Sequence, residues 1–497
     1  MVDRLIIGLD SSTQSTKAIA WSDTGELVAE GRADIPMNTP RKNHFEQTPE
    51  EWWKATCIAL KALTDQIDSS LIDGIAISNQ RETIGFFDKN LEPLHPAIVW
   101  LDSRSISEVE ELTEKIGTDQ LHKISGKPKD IIPSHSRILW FVKNHPAKIQ
   151  NLYKVLNVSS YLGMKLTGEC FVSWPSADPS GVFDIKQMDW SSEILDVIGL
   201  DKSRFAEPVA PASPIGEINE EAALQTGLKA GTKLYAGAGD GQCAGLGVNA
   251  ARKGRVYLNL GTAVVTGVWS QTPNISNSWR TMTSPTSDGY FLEGVMRAGT
   301  YFMDWFVENY IDCNADNSTY SKLQADGETL PVGTDGLLVC PYLSGCMNPF
   351  WNMKAKAAFY GISPFHDSTH LYRGAMEGLT GDIARTIHDM RHQGLPADEI
   401  VAVGGGANSA LWRKMIVDAT GIPLTISKSL EASALGAGMI AAVGANWFDN
   451  FDTAAQTMST NGETYHPDQA DHELWQPLLE RQLIFNTFCC SNESELT

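Results

Sequence analysis

The sequence has no run of about 18 apolar residues, the length that a helix needs to cross a bilayer. Its start also lacks a basic segment followed by an apolar signal core, and the residues there predict a strand instead. These two absences predict a protein that is neither exported nor anchored in a membrane.

Cysteine is scarce and irregularly spaced, with 8 in 497 residues. None of the cysteines forms a Cys-x-x-Cys pair or a Cys/His spacing typical of zinc sites, and a chain of this length needs no disulfides for stability. We therefore expect a protein of the reducing cytoplasm.

Positive charge is in deficit, because 39 lysines and arginines stand against 60 aspartates and glutamates, for a net charge of −21. This excess is spread along the chain, so a phosphate backbone would be repelled over most of the surface and nucleic acid is excluded as an expected partner. The length predicts two large domains, because single domains rarely exceed about 300 residues.

Two similar hairpins lie about one domain length apart. Residues 5 to 22, LIIGLDSSTQSTKAIAWS, consist of an apolar strand, a turn rich in hydroxyl and amide groups, and a second strand. A Walker-type phosphate loop is excluded there, because the turn has no Gly-Lys-Ser/Thr and no helix follows. Residues 254 to 270, GRVYLNLGTAVVTGVWS, repeat the pattern around Gly261 and Thr262. The repeat predicts duplicated domains facing one cleft, at residues 1–246 and 247–497.

The second hairpin can offer backbone N–H groups and the Thr262 hydroxyl to an anion, although an ordinary tight turn explains it as well. A helix is predicted from Pro49, with Thr48 as its N-cap and Glu51 as the reciprocal partner of a capping box. Residues 105–230 contain helical stretches without a metal or nucleophile motif, and we interpret them as insertions into the first domain.

Polar residues follow the strand around Ile75 and Ile77, where Arg81 and Glu82 come at its carboxyl end. Open α/β sheets usually place ligand contacts at such ends, although a solvated ion pair is the simpler alternative for these two residues. Asp240 also ends a strand, and there the alternative role is that of a helix N-cap.

Three consecutive glycines, 404 to 406, come between a strand and a helix for which Gly421 is the expected C′ residue. They would let a flat or anionic ligand lie against the backbone at a helix N-terminus. A second helix, from about Glu431, is rich in small residues, and close packing against a neighbour explains it as well as a ligand does.

Eight segments together resemble the FGGY family of carbohydrate kinases, in the same order and along nearly the whole chain. They are the Asp-x-x-Thr hairpin at Asp10 and Thr13, FEQTPEEWW at 45–53, ISNQRET at 77–83, AIVWLDSRS at 97–105, GAGDGQ at 237–242, NLGTAV at 259–264, PYLSGCMNPFWNMKAKAAFYGIS at 341–363 and GGGANSALWRKMIVDATGIPL at 404–424.

The resemblance implies an α/β fold of two RNase-H-like domains, as in actin, heat-shock proteins and sugar kinases, flanking a catalytic cleft. ATP and Mg²⁺ would bind on one side of the cleft and a sugar or polyol on the other, in a homodimer. Asp240 matches the catalytic aspartate, which would accept the proton of the attacking hydroxyl. Asp10 matches the Mg²⁺ position, with Asp240 as the second acidic group there.

The remaining site residues are also carried over from the resemblance. The implied ATP-binding residues are Ser12, Thr13, Gln14, Ser15, Lys17, Gly261, Thr262, Gly405, Gly406, Ala407 and Asn408. The implied substrate-binding residues are Arg81, Glu82, Trp100, Asp240 and Gln242.

The substrate is the least determined feature. ISNQRET and AIVW resemble glycerol kinases, but Gly241, Val264 and Ile132 stand where those enzymes carry glutamine, an aromatic residue and tyrosine. The opening turn, FEQTPEEWW and NPFWNMKAKAAFYGIS resemble xylulokinases. We therefore expect a ketopentose such as xylulose or ribulose, with glycerol or another polyol as the alternative.

There are two alternatives without transfer: a nucleotide switch of the actin or heat-shock kind, and a sugar-binding regulator. The first is disfavoured because it would leave Arg81, Glu82 and Asp240 without a purpose, and the second because Asp10 and Asp240 are both present. Ser12 stands where most of the family has glycine, so either the turn avoids a positive φ or Ser12 contacts the nucleotide.

Overall fold

Two mixed β-sheets organise the chain in the computed structural model, which describes residues 4–429 and 431–491. The strands are β1 Leu5–Ser11, β2 Ser15–Trp21, β3 Leu27–Asp34, β4 Asn38–Arg41, β5 His44–Gln47, β6 Ile72–Asn79, β7 Ile84–Phe87, β8 Pro93–Ile98, β9 Lys154–Asn157, β10 Phe171–Ser173, β11 Phe183–Asp184, β12 Asp189–Trp190, β13 Glu207–Val209, β14 Pro214–Glu217, β15 Lys233–Gly239, β16 Gly254–Leu260, β17 Val264–Ser270, β18 Arg280–Thr283, β19 Tyr290–Met296, β20 Leu338–Cys340, β21 Ala358–Tyr360, β22 Ala397–Val403, β23 Leu424–Ser427 and β24 Asn461–Tyr465.

Helices cover both sheets. They are α1 Pro49–Thr64, α2 Ile106–Ile116, α3 Thr118–Ser125, α4 His135–Asn144, α5 Pro146–Ile149, α6 Val158–Thr167, α7 Trp174–Ala177, α8 Ser192–Ile198, α9 Glu220–Thr226, α10 Asp240–Gly247, α11 Thr300–Tyr310, α12 Asn317–Glu328, α13 Ser368–His392, α14 Ala410–Thr420, α15 Ala432–Gly444, α16 Phe451–Met458 and α17 Gln469–Ser491.

The two sheets repeat one topology. The first has the order β14-β15-β6-β1-β2-β3, with β1 antiparallel to β2 and parallel to β6. The second has the order β18-β19-β17-β16-β22-β23-β24, with β16 antiparallel to β17 and parallel to β22. Each hairpin predicted from the sequence thus opens a sheet, and the expectation of two RNase-H-like halves in an α/β fold is confirmed.

Helix α15 of the C-terminal half packs directly on the first sheet. A Cβ atom added to Gly8 in β1 would lie 1.8 Å from the Ala434 carbonyl oxygen, and one added to Gly436 would lie 1.9 Å from the Cys243 carbonyl oxygen in α10. Only glycine permits such a close approach of the backbones. The small residues after Glu431 are therefore explained by packing, while Leu430 lies outside the described residues.

The sequence predicted where helices α1 and α14 begin or end, but it did not predict the capping hydrogen bonds of α1 correctly. Helix α1 begins at Pro49 after Thr48, as predicted, but the Thr48 side chain makes no capping hydrogen bond among the described residues. Glu51 instead reaches Lys54 at 3.7 Å, so the predicted capping box is wrong. Helix α14 ends as expected at Gly421, which has the left-handed φ of 68°.

Membrane-spanning helices and disulfides were both unexpected from the sequence. Across residues 4–429 and 431–491, no helix combines the length and the apolar character needed to span a membrane. All 8 cysteines lie within these ranges, and each is a free thiol.

The segment from residue 105 to 230 lies beside the first sheet. It supplies helices α2 to α9 and strand β9, which joins the smaller sheet of order β4-β5-β8-β7-β9. The segment contributes Ile132 to the cavity described next, so it shapes the site as well as enlarging the N-terminal half.

Candidate functional site

Two cavities meet at the turn between β1 and β2. The arginine cavity has a volume of about 370 Å³ and is lined by Thr13, Arg81, Glu82, Trp100, Leu101, Ile132, Asp240, Thr262, Ala263, Val265, Arg280, Val295, Arg297, Ser344 and Met347. The hairpin cavity has a volume of about 420 Å³ and is lined by Asp10, Ser12, Gln14, Ser15, Lys17, Arg32, Ala244, Tyr257, Asn259, Val403, Glu431, Ala432 and Ser433. Thr13 lines one cavity and its neighbours Ser12 and Gln14 line the other, so the turn separates the two.

An alternating chain of charges closes one end of the arginine cavity. The Nε atom of Arg81 lies 3.1 Å from Asp240 Oδ1, and its Nη1 atom lies 2.9 Å from Glu293 Oε2. The Nη1 atom of Arg280 lies 3.0 Å from Glu82 Oε1, and its Nη2 atom pairs with the other carboxylate oxygen of Glu293. The chain therefore joins side chains of both halves.

The charges in this chain hold one another in their ionised forms. Burial alone would raise the pKa of Glu293, but the guanidinium groups of Arg81 and Arg280 overcome it and hold that pKa at about 2. Burial also disfavours the charged form of Arg81, yet the carboxylates of Glu293, Asp240 and Glu82 raise its pKa above the ordinary value. Removing one member would leave a buried charge unpaired.

Asp240 stands where β15 ends and α10 begins. It is the first residue of α10, with Gly239 as the N-cap, and its Oδ1 accepts a hydrogen bond of 2.7 Å from the Gly241 backbone N–H. Burial raises the pKa of Asp240, while Arg81 and the Gly241 hydrogen bond lower it. Its side chain is 38% exposed, towards the cavity. A carboxylate in this position can accept a proton from a hydroxyl in the arginine cavity.

Glu82 is held in an uncommon backbone conformation, with a φ of 59°. Its carbonyl oxygen accepts hydrogen bonds from Arg137 Nη2 at 3.0 Å and Ser134 Oγ at 2.8 Å. A left-handed conformation costs a non-glycine residue about 1 kcal/mol, so these bonds help to fix the Glu82 side chain at the cavity. Burial raises the pKa of Glu82, and Arg280 and Arg81 lower it.

A hydrogen-bond network connects Trp100 to the first hairpin. The Trp100 indole N–H donates to Thr13 Oγ1 at 2.9 Å, and Gln47 Nε2 donates to the Thr13 carbonyl oxygen at 2.6 Å. Gln47 Oε1 in turn accepts from Trp52 Nε1 at 2.9 Å and from Gln80 Nε2 at 3.0 Å. Hydrogen bonds thus connect residues of three segments, FEQTPEEWW, ISNQRET and AIVW. Together these bonds fix Thr13 between the two cavities.

Asp10 in the hairpin cavity suits a divalent cation. Its Oδ1 accepts a hydrogen bond of 2.6 Å from Ser78, and burial raises its pKa to about 7, with a further contribution from the charge of Asp240. Oxygen ligands from one or two carboxylates are typical of Mg²⁺ sites. In the part of the chain that the structure describes, no three His, Cys, Asp or Glu side chains could hold a metal by themselves.

Lys17 in the hairpin cavity makes a contact across the two halves. Its Nζ atom lies 2.5 Å from Glu431 Oε2, with side chains that are 23% and 35% exposed. Arg32 provides a second cation in the same cavity. The cavity therefore combines two cations with the carboxylates of Asp10 and Glu431.

Ser12 fits into the turn between β1 and β2 because the turn has no positive φ at this position. Ser12 is not among the residues with a positive φ, and both its backbone N–H and its hydroxyl donate to the Ser15 carbonyl oxygen, at 2.9 and 2.8 Å. The turn thus accommodates a side chain at this position without strain. Ser12 also lines the hairpin cavity.

The second hairpin and the glycine triplet lie side by side, because β16 pairs with β22. Gly404 has a φ of 90°, and a Cβ atom there would lie 2.7 Å from Asn259 Oδ1 and from the Leu260 carbonyl oxygen. Gly405 has open space around its Cβ position. A short 3-10 turn, Gly405–Asn408, follows at the edge of the hairpin cavity, where Val403 is a lining residue.

Comparison with known proteins identifies the family. Residues 5–247 match the FGGY family of carbohydrate kinases, N-terminal domain, and residues 256–445 match the C-terminal domain of the same family. The chain belongs to the FGGY family of carbohydrate kinases. It is therefore an ATP-dependent phosphotransferase with an alcohol group as acceptor, which confirms the resemblance and sets aside the alternatives without transfer.

Relatives of this FGGY kinase carry different substrate names. It is 26% identical over 468 residues to a gluconokinase of Bacillus subtilis, covering 93% of this chain and 91% of the relative. It is also 26% identical over 483 residues to a xylulose kinase of the same organism, covering 96% and 95%.

Solved structures agree in fold. A gluconate kinase from Lactobacillus acidophilus superposes with a TM-score of 0.93 at 22% identity, covering 99% of this chain and 100% of that one. A Plasmodium falciparum glycerol kinase with ADP superposes with a TM-score of 0.86 at 23% identity, covering 97% and 98%.

The residues expected in the FGGY kinase site fall into three groups. Those lining the arginine cavity are Thr13, Arg81, Glu82, Trp100, Asp240 and Thr262. Those lining the hairpin cavity are Asp10, Ser12, Gln14, Ser15 and Lys17. Those that line neither cavity are Gly261, Gly405, Gly406, Ala407, Asn408 and Gln242.

Gln242 lines neither cavity. It is fully buried, and its Nε2 donates to the carbonyl oxygens of Pro175 at 3.0 Å and Thr283 at 3.4 Å. Its Oε1 has no hydrogen-bond partner among the described residues, and a Cβ atom added to Gly239 would lie 2.5 Å from this oxygen and 2.6 Å from the Arg81 side chain. The role of Gln242 in substrate binding stays a prediction.

Several cavity residues were not found by sequence reasoning. They are Arg280, Glu293 and Arg297 at the arginine cavity and Arg32 and Glu431 at the hairpin cavity. One usable signal was the alternation of Glu293 and Val295, which places both on one face of β19, with Arg297 directly after the strand. Val265 rather than Val264 lines the cavity, since Val264 is buried in β17.

Proposed function

We propose that this FGGY kinase transfers phosphate from ATP to a hydroxyl group of a ketopentose such as xylulose or ribulose, with Asp240 as the general base. The observation that carries the proposal is the location of the Asp240 carboxylate. It lies 3.1 Å from Arg81 in a cavity lined also by Thr13 and Thr262, one from the turn of each hairpin.

The reaction needs a base, charge neutralisation and exclusion of water. Asp240 would accept the proton of the attacking hydroxyl, and its raised pKa makes it a stronger base than an exposed aspartate. Arg81 would keep the carboxylate in place and ionised until the proton arrives. Glu82 and Arg81 would accept from and donate to the other hydroxyls of the sugar, with the Trp100 ring against its carbon-bound hydrogens.

ATP is proposed to extend along the hairpin cavity. Its phosphates would lie against Ser12, Thr13, Gln14, Ser15 and Lys17, and against Gly261 and Thr262 of the second hairpin. Its adenosine would lie against Gly405, Gly406, Ala407 and Asn408. Asp10, with Asp240 as the second acid, would hold Mg²⁺, which neutralises phosphate charge when bound.

The choice of a ketopentose has support of two kinds. One relative is named xylulose kinase, and Ile132 lines the cavity close to where the resemblance to glycerol kinases implies a larger tyrosine. Glycerol or another polyol is the second candidate, because Arg81 and Glu82 are both present at the cavity and can bind a chain of hydroxyls.

Three broader proposals accompany the reaction. We take residues 1–246 and 247–497 as the two domains, because the first sheet ends with β15 and the second begins with β16.

We propose a cytoplasmic location, which the free thiols favour. We also propose a homodimer, favoured by the exposed apolar side chains of Ile484 on the C-terminal helix and of Tyr360, whose ring lies 5.8 Å from that of Phe485 on the same helix.

The test is ADP release measured across xylulose, ribulose, hexuloses, pentitols, erythritol and glycerol, with and without Mg²⁺. We expect the highest kcat/KM with a ketopentose. A higher value for glycerol would replace the first candidate by the second, and ATP hydrolysis that no acceptor accelerates would contradict both.

The role of Asp240 is tested with Asp240→Asn, which keeps the size of the side chain but removes the base. We expect kcat to fall by about 1,000-fold or more, while the affinity for an ATP analogue changes little. Substantial acceptor-dependent turnover in this variant would show that another group takes the proton.

A further inference from the structure

Arg297 follows directly on β19, whose alternate residues share one face. Glu293 and Val295 therefore point to the same side of the strand, and Arg297 lies in the bend that follows it. Glu293 takes part in the charge chain with Arg81 and Arg280 at one end of the arginine cavity, while Val295 and Arg297 line the cavity itself. Arg297 is thus a lining residue outside the charge chain.

The three arginines of the cavity differ in their partners. Arg81 pairs with Asp240 and Glu293, and Arg280 pairs with Glu82 and Glu293. Among the residues that the structure describes, none forms an ion pair or a hydrogen bond with the Arg297 guanidinium. A half-buried group with five N–H donors is thus presented to the cavity without a protein acceptor.

Asp130 is the nearest acid that acts on Arg297. Burial lowers the pKa of Arg297 and the charge of Asp130 raises it, but no ion pair joins the two side chains. One oxygen of Asp130 accepts from the Ile131 backbone N–H at 2.7 Å, and the other is buried without a hydrogen-bond partner. Asp130 thus offsets part of the charge of Arg297 without using its donors.

The lining of the cavity suits Arg297 to the binding of an anion. It includes the apolar side chains of Val265, Val295, Ile132 and Met347. A guanidinium group matches the paired oxygens of a carboxylate or phosphoryl group, and such bonds strengthen where water is excluded.

We propose that Arg297 binds an oxyanion, a carboxylate or a phosphoryl group, in the part of the arginine cavity that the charge chain does not occupy. The proposal rests on the proposed transfer of phosphate in this cavity, because it assigns Arg297 to the same site, and it does not require the acceptor to be a ketopentose. The anion has two possible sources: a carboxylate carried by the acceptor, as in an aldonate such as gluconate, or the phosphoryl group that the nucleotide transfers.

The segment that follows Arg297 packs on the second hairpin, where the transferred phosphoryl group is proposed to lie. The Thr300 backbone N–H donates to the Gly261 carbonyl oxygen at 2.9 Å, and a Cβ atom on Gly299 would lie 2.6 Å from the same oxygen. The segment from Arg297 to Thr300 therefore packs on the second hairpin, whose Thr262 lines the same cavity.

The test compares Arg297→Met and Arg297→Lys with Arg41→Met, a matched control at an exposed position. Initial rates are measured with a ketopentose, a polyol and gluconate. If the acceptor supplies the anion, Arg297→Met raises the KM for gluconate by about 10- to 100-fold and leaves the neutral acceptors unchanged. If the phosphoryl group is the anion, kcat falls by about 100-fold for every acceptor with little change in acceptor KM. Arg297→Lys should recover part of either loss.

A second experiment tests anion binding by Arg297 without depending on turnover. The shift in Tm caused by gluconate, by inorganic phosphate and by an ATP analogue is compared between the parent protein and Arg297→Met at constant ionic strength. We expect at least one anion to stabilise the parent and not the variant, and Asp130→Asn to enlarge that shift. Absence of turnover with all acceptors in the parent would contradict the proposed function alone. Equal rates and equal Tm shifts for Arg297→Met and Arg41→Met would overturn the oxyanion site.

Discussion

The Nε atom of Arg81 lies 3.1 Å from a carboxylate oxygen of Asp240, while the same guanidinium group reaches Glu293 through Nη1 at 2.9 Å. One side chain thus connects the candidate base at the end of β15 with a buried acid of β19. Because Glu293 is held ionised by two arginines, Arg81 is fixed in orientation and keeps a second edge free for Asp240. The charge chain would therefore position the proposed base, Asp240, and tune its pKa.

Arg81→Met should shift the pH dependence of the reaction. Burial raises the pKa of Asp240 and Arg81 lowers it, so removing the guanidinium group raises that pKa further. The base must be ionised to act, so activity in the variant is lost at a higher pH than in the parent as the pH falls. We expect the acidic limb of kcat/KM against pH to move upward. An unchanged limb would mean that Asp240 is not the group titrated.

Asp10→Asn should stabilise the metal-free protein at high pH. Burial raises the pKa of Asp10 to about 7, against 3.8 for the ordinary group, so the folded state binds a proton over this range that the unfolded state has lost. Stability therefore falls as the pH rises from about 4 to 7. Above pH 7 the deficit is on the order of 4 kcal/mol, and an uncharged asparagine removes it.

The measurement for Asp10→Asn is urea unfolding of parent and variant at pH 4 and pH 8, without metal. We expect the variant to be the more stable at pH 8 and equal to the parent at pH 4. Asp449→Asn, at an exposed position, serves as the control with no expected pH effect. Mg²⁺ should raise the Tm of the parent and not that of Asp10→Asn. A variant less stable than the parent at pH 8 would contradict the cost of burying this carboxylate in its charged form.

The sequence predicted those parts of the site whose chemistry is local. Both hairpins, the strand end at Arg81 and Glu82, and Asp240 at the start of α10 were found because each lies within one short segment. Such segments carry their own signals of turn, strand end and helix start.

The partners of these residues could not be predicted, for a physical reason. Arg280 and Glu293 meet Arg81 and Glu82 only after two sheets from distant parts of the chain have come together. No local pattern encodes a contact across some 200 residues of sequence. Gln242, which the family resemblance implied as a substrate-binding residue, stays a prediction, since it lines neither cavity.

Arg137→Met should weaken both stability and acceptor binding. Arg137 is fully buried and donates to the carbonyl oxygens of Glu82 at 3.0 Å, Ile131 at 3.0 Å and Ile132 at 2.5 Å. Its loss leaves three buried acceptors without these donors, at a cost of about 2–4 kcal/mol.

For this variant we expect a lower midpoint of urea unfolding and a raised acceptor KM, because the left-handed backbone of Glu82 is no longer fixed. Arg137→Lys should restore part of the stability. A variant with normal stability and normal KM would show that Ser134 alone suffices to hold Glu82.

Glu431→Gln should tighten nucleotide binding. The Glu431 carboxylate forms an ion pair with the Lys17 ammonium group at 2.5 Å. This pair lies in the cavity where the phosphates of ATP are proposed to lie. A phosphate must compete with this carboxylate for Lys17, and the carboxylate also repels it. Partly exposed ion pairs are worth about 1 kcal/mol, so we expect the Kd for an ATP analogue to fall by about three- to ten-fold.

The affinity is measured by titration calorimetry without acceptor, and Glu480→Gln on the exposed face of α17 is the matched control. Lys17→Met should weaken binding, and in that background Glu431→Gln should lose most of its effect, because the competition it relieves no longer exists. Repeating the titration at high salt should narrow the difference between parent and Glu431→Gln, since the contact is partly exposed. Weaker binding by Glu431→Gln would mean that the carboxylate contributes to the nucleotide site, for example through a cation, instead of competing with the phosphates for Lys17.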